Sequence, residues 1–107
     1  MDKVENDEKR DDSRKERIRE VVRKTVEFHF GLGDGKQFDD SLLFIDGMGG
    51  DSLDYVEFLM AIEAIFNVTI READEENLLN TRDVVDYLMA KDAAKTLVIN
   101  ESVIPQD

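Results

Sequence analysis

Asp51-Ser52-Leu53 is the stretch of this 107-residue chain whose residue types and spacing are best suited to chemistry. A glycine-rich turn, Gly47-Met48-Gly49-Gly50, delivers Ser52 to the first turn of a strongly patterned helix. There the unpaired backbone N–H groups and the positive end of the helix macrodipole favour an anion, so a phosphodiester formed on the Ser52 hydroxyl is well accommodated. The plainer reading of a serine in this place is an N-cap. Two other chemistries share the segment and fit it poorly. Gly50-Asp51-Ser52-Leu53 spells the nucleophile block of a class of serine hydrolases. Such an enzyme needs a histidine downstream as base and a larger scaffold, whereas the single histidine, His29, lies upstream and suits a helix end or the core. Asp46, Asp54 and Glu57 fall at the first, ninth and twelfth positions of a calcium-loop register. However, Met48 and Gly50 supply no side-chain oxygen between them, and Asp51 stands where a glycine makes the turn. No catalytic residue and no metal site is assigned.

The elements that must position Ser52 can be read from the pattern around it. At 41% hydrophobic residues the chain can bury one small core, which makes it a single domain. The segment 1–12 is charged and poor in apolar residues, and is expected to be flexible or frayed. Ser13 and Glu16 fit a capping box, and Ile18, Val21, Val22 and Val26 recur at helical spacing, predicting a first helix from Arg14 to Phe30, ended by Gly31-Leu32-Gly33-Asp34-Gly35. A long linker follows, with Phe38, Leu42, Leu43, Phe44 and Ile45 as apolar anchors. Asp51 or Ser52 opens a second helix to Phe66. In it, Leu53, Val56, Met60 and Ala64 form one apolar row and Leu59, Ile62 and Phe66 a neighbouring one, both expected in the core, with Asp54, Glu57 and Glu63 opposite. Asp74-Glu75-Glu76 opens a short third helix. Asn80 with Asp83 caps a fourth that runs to Lys91, with Val84, Val85, Leu88 and Met89 on its core face. The expected fold is an all-α, antiparallel four-helix bundle with a short third helix over 13–91. Within the segment 92–107, Thr96-Leu97-Val98-Ile99 and Val103-Ile104 have no strand to pair with and are expected to pack, in part, as an extended segment.

From Gly49 onward the run Gly-Gly-Asp-Ser-Leu-Asp-Tyr-Val-Glu-Phe-Leu-Met-Ala-Ile-Glu resembles the phosphopantetheine attachment segment of acyl carrier proteins. The resemblance extends through Asp51, Ser52, Leu53, Asp54, Val56 and Glu57, then Met60, Ala61, Glu63, Phe66 and Ile70, to Asp86-Tyr87. It implies the following. A phosphopantetheinyl transferase attaches 4'-phosphopantetheine to Ser52, with Asp51 and Leu53 forming the rest of the attachment segment and Asp51 free to act as a cap or in metal and transferase contacts. The arm's thiol carries acyl groups as thioesters, in a specialised fatty acid, lipid or polyketide pathway. Asp54, Glu57, Met60 and Glu63 dock basic patches on acyl-loading, condensing or acyltransferase enzymes. The protein itself catalyses nothing.

Gly47, Arg71, Ala64 and Ile65 depart from the family's common pattern. The pair Ala64 and Ile65 is expected to add an apolar contact that chooses among partners. Gly49-Gly50 also occurs in peptidyl and D-alanyl carrier proteins, which remain an alternative, as does an unmodified interaction module.

Charge and composition agree with a carrier. The formal net charge of −12 and a pI near 4.4 disfavour nucleic acid and anionic membranes and favour basic protein surfaces. With no cysteine, any thioester chemistry must use a thiol from a cofactor. No apolar run approaches the ~20 residues of a membrane span, and Met1 to Arg10 is charged where a signal peptide would be apolar. A soluble, cytoplasmic monomer is expected.

Overall fold

The computed structural model describes residues 2–32, 38–92 and 97–105, with side chains from Ser13 onward. It is an all-α, antiparallel four-helix bundle: α1 Asp2–His29, α2 Ser52–Phe66, a one-turn α3 Glu72–Glu75 and α4 Thr81–Lys91, followed by a 3-10 turn, Glu101–Val103. Helix α1 packs on both α2 and α4. Among the described residues the only strand-like pairing is an isolated bridge between Leu43 and Asn80.

Helix α1 turns Ile18, Val21, Val22 and Val26 inward, all fully buried, because their spacing lays them along one stripe. Thr25 shares that stripe and satisfies its buried hydroxyl by donating to the Val21 carbonyl at 2.8 Å, one turn back. The helix stops where Gly31 takes φ +67, a left-handed conformation that glycine adopts without steric cost. The predicted start at Arg14 is corrected, since α1 begins at Asp2 and Ser13 lies inside it. No proline or glycine interrupts 2–13, so a helix anchored by its C-terminal half can extend through that segment. At 1.5 Å per residue α1 is about 42 Å long against about 22 Å for α2.

In the linker, Phe38 and Phe44 are buried, while Leu43 and Ile45 stay partly exposed. Phe44 stacks on Phe30 with centroids 5.1 Å apart and meets Phe58 at 5.0 Å, and its amide donates to the Leu79 carbonyl at 3.0 Å. This aromatic anchor fixes the loop that leads to Ser52. Residues 33–37 lie outside the described residues.

Helix α4 begins as predicted, with the Asn80 side chain accepting the Asp83 amide at 2.8 Å, and buries Thr81, Val84, Val85 and Leu88. After α4, Asp92 has a fully buried side chain and a bidentate partner in Arg14. The Arg14 guanidinium also donates to the Leu97 carbonyl at 2.6 Å, and the Leu97 amide donates to Asp92 at 3.0 Å. The Asn100 amide donates to the Ile65 carbonyl at 2.6 Å, and Ile104 is buried while Val98 and Val103 remain exposed. Thr96 lies outside the described residues.

Candidate functional site

The start of α2 is built by a reciprocal capping box. Asp51 holds the N-cap with extended backbone, φ −104 and ψ 178; its carboxylate accepts the Asp54 amide at 2.9 Å, and the Asp54 carboxylate accepts the Asp51 amide at 3.2 Å. Ser52 is therefore the first helical residue and not the cap, and it is exposed. The preceding glycines have local causes. Gly49 sits at φ +75, and any Cβ on Gly50 would collide with the Phe30 ring. Gly49-Gly50 is thus explained by the turn and by close packing, independently of cargo.

The other residues singled out around Ser52 separate into two groups. Asp54 is half-buried and engaged in the cap, and Glu63 accepts the Ile70 amide at 2.8 Å, so both carboxylates hold backbone as well as contributing charge. Glu57 is exposed. The row Leu53, Val56, Met60 and Ala64 corrects the sequence reading: Leu53 is 64% exposed, Met60 61% and Val56 48%, with Ala64 exposed too. Helix α2 instead buries Phe58, Leu59, Ile62, Ile65 and Phe66. It is apolar on most of its circumference, so composition could not choose which row turns inward; α1 and the Phe44 loop covered the other one. Ile65, expected as a partner contact, is fully buried.

His29 ends α1 with its ring edge-on to Phe58 at 6.4 Å. Burial lowers its pKa, against the opposing influence of Glu57 and Asp54. Asp46, Asp54 and Glu57 do not converge, and among the described residues no cluster of three or more His, Cys, Asp or Glu is arranged to hold a metal ion.

Tyr55, which no periodicity singled out, lies one turn beyond Ser52. Its hydroxyl reaches the Glu75 carbonyl at 2.8 Å and the Leu78 carbonyl at 2.9 Å, tying α2 to α3. Burial first, then the nearby Glu75 and Asp83, push its pKa up to about 12. Tyr87 makes the matching link from α4, donating to the Asp74 carboxylate at 2.9 Å. Between α3 and the linker lies a cavity of about 460 Å³, with Leu43, Phe44, Ile45 and Leu79 as its apolar lining, Tyr55 on its wall, and Asp46, Glu72, Glu75 and Glu76 at its edge.

A family model for the phosphopantetheine attachment site matches residues 16–88, a span that covers α1 from Glu16 through most of α4. The chain is also 38% identical over 77 residues to an acyl carrier protein of Cyanidium caldarium, an alignment that covers 72% of this chain and 88% of that protein. The chain belongs to the acyl carrier protein family. As an acyl carrier protein it is a carrier and not an enzyme, its covalent group is 4'-phosphopantetheine, and it interacts with a phosphopantetheinyl transferase and with acyl-handling enzymes.

The residues present fit that group. The carrier offers an exposed serine hydroxyl at the positive end of a 15-residue helix, and the two nearest carboxylates, Asp51 and Asp54, each accept a backbone N–H. The group, when bound, supplies the thiol that the cysteine-free chain lacks. No described helix of the carrier is long and apolar enough to cross a membrane.

Proposed function

We propose that Ser52 is the attachment point of 4'-phosphopantetheine, and that the arm's thiol carries acyl intermediates of a specialised fatty acid, lipid or polyketide pathway in the cytoplasm. The observation that carries this reading is the exposed Ser52 hydroxyl at the first position of α2, freed from capping because Asp51 does that work. The other described serines differ. The Ser41 hydroxyl donates to Asp39 and the Ser102 hydroxyl to Asn100 at 2.8 Å, and Ser13 lies within α1. Asp51 and Leu53 flank the attachment point.

Docking falls to the outer face of α2. Its exposed Leu53, Val56 and Met60 present an apolar strip, and helical geometry sets Glu57 on one side of the strip and Glu63 on the other. Asp54, Glu57 and Glu63 supply charge for basic patches, and Met60 supplies short-range apolar contact. Local packing accounts for Gly49-Gly50 whatever the cargo, and the similarity to an acyl carrier protein favours acyl cargo over that of a peptidyl or D-alanyl carrier.

The test is incubation with coenzyme A and a broad-specificity phosphopantetheinyl transferase, followed by intact mass measurement. The wild type gains one arm and Ser52→Ala gains none. An arm on the folded Ser52→Ala protein would overturn the assignment.

A further inference from the structure

The cavity beside α3 has two unlike walls. Helix α3, Glu72–Glu75, contributes no buried residue and is held to the bundle by the hydroxyls of Tyr55 and Tyr87, supported by an exposed pair between Arg71 and Asp74 at 3.6 Å. That wall can shift without opening the core. The inner wall cannot. It is made by Phe44, 1% exposed and locked against Phe30 and Phe58, and by Tyr55 of α2, whose ring lies 6.1 Å from that of Phe44 and whose hydroxyl also reaches the carbonyl of buried Leu78, outside α3. Against this aromatic wall stand Phe58, in ring contact with Phe44, and Leu78, whose carbonyl the Tyr55 hydroxyl reaches; both are buried and neither lines the cavity. Apolar cargo entering beside α3 therefore meets Leu43, Ile45 and Leu79 and then stops against Tyr55 and Phe44.

Tyr55 is also the wall residue nearest the attachment point in sequence, three positions after Ser52 and thus one turn along the same helix. We infer that Tyr55 is the specificity-determining residue of this carrier: it closes the cavity off from the interhelical core and so limits the length of acyl chain that the protein can shelter. A smaller side chain here would extend the cavity toward buried Leu78, and a longer chain would be covered. The inference rests on the reading of Ser52 as the arm-bearing residue.

The experiment loads the full-length chain from butanoyl-, octanoyl-, dodecanoyl- and hexadecanoyl-coenzyme A with the transferase, for the wild type and for Tyr55→Ala, Tyr55→Leu and Tyr55→Phe. Intact mass checks the arm first, so a failure of the Ser52 reading shows as an unmodified protein before any length profile is taken. Thioester cleavage by neutral hydroxylamine is then followed against chain length, with circular dichroism to establish folding. Protection in the wild type rises with length, by up to about fourfold for each methylene taken out of water, and then levels off. In Tyr55→Ala the levelling point moves to longer chains by about two methylenes or more, and in Tyr55→Leu by a smaller step. Tyr55→Phe keeps the ring and keeps the wild-type levelling point even though its melting temperature falls, which separates a wall from a merely stabilising hydrogen bond. If Tyr55→Ala does not fold, Tyr55→Leu decides by the same readout. A levelling point that is the same in the wild type and the folded variants, or the absence of protection at every length, would overturn the inference.

Discussion

Single residues divide sharply into those that tolerate change and those that do not, and burial draws the line. Ile65 is fully buried on α2, with its carbonyl accepting the Asn100 amide, so Ile65→Glu would place an uncompensated carboxylate in the core. That costs at least about 4 kcal/mol, a large share of a domain stability of about 5–15 kcal/mol, and urea titration should find this variant largely unfolded. The same change at exposed Met60 should leave the midpoint within about 0.5 kcal/mol of wild type.

Tyr55 makes a prediction in pH. Its folded pKa stands near 12 against an ordinary value of 10.0, so between those values the folded chain keeps a proton that the unfolded chain has released. Stability is therefore full below pH 10.0 and is lost as pH rises toward about 12. Tyr87 is shifted in the same direction, chiefly by burial and then by its bond to Asp74, so the diagnostic quantity is the difference between proteins. Tyr55→Phe should be less stable at neutral pH by about 1 kcal/mol, for the lost hydrogen bond, yet show a shallower decline in melting temperature above pH 10.0.

At the scale of elements, α1 acts as an ionic spine for the linker and the C-terminal segment. Arg14 holds Asp92 and Leu97; Arg17 pairs with Glu101; Arg19 and Arg23 both reach Asp40, each at 2.6 Å. The linker and the C-terminal segment are thereby fastened to the same helix that packs on α2 and α4. These pairs differ in worth. Arg17 and Glu101 are 40% and 62% exposed, which places their contribution near the small value of a surface pair. Asp92 is fully buried at its side chain, so removing its guanidinium partner is costly. Arg14→Leu should lower stability by about 3 kcal/mol and raise the hydrogen-exchange rate of the Leu97 and Asn100 amides, whereas Arg17→Leu should change stability by less than about 1 kcal/mol. Equal effects of the two substitutions would show that the Arg14 to Asp92 tie does not hold the C-terminal segment.

At the scale of the whole molecule, charge is divided by position. The arginines of α1 are largely consumed by carboxylates of the linker and tail. Between Asp51 and Glu76, by contrast, eight acids face one base, Arg71. The segment bearing Ser52 therefore carries a dense negative charge in a chain whose net charge is −12, and, on the proposed attachment at Ser52, it should steer basic patches of partner enzymes toward the arm. Association with the transferase should slow as ionic strength rises and the screening length falls from ~10 Å at 0.1 M toward ~3 Å at 1 M. Reversing Glu57 should slow loading at low salt more than reversing Glu16 on α1. Loading rates that are insensitive to both salt and Glu57 reversal would move the docking face elsewhere.

The sequence by itself determined the features whose causes lie within a few residues. The Asp51 and Asn80 caps, the stop at Gly31 and the placing of Ser52 at the head of α2 each follow from residues acting on backbone no more than about one turn away, and the stripe of Ile18, Val21, Val22 and Val26 follows from apolar residues at helical spacing. It also carried the family, because the attachment segment is contiguous. Only the tertiary structure decided which side of α2 faces the core. Leu53, Val56 and Met60 are as apolar as Phe58, Ile62 and Ile65, and hydrophobicity alone cannot rank two rows of one helix when the choice depends on which row a neighbouring helix covers. Only the structure joined Arg14 to Asp92 across 78 positions and carried the Tyr55 hydroxyl to the 75–78 segment. Neither contact leaves a periodic trace, since each arises from where separate elements come to rest against one another.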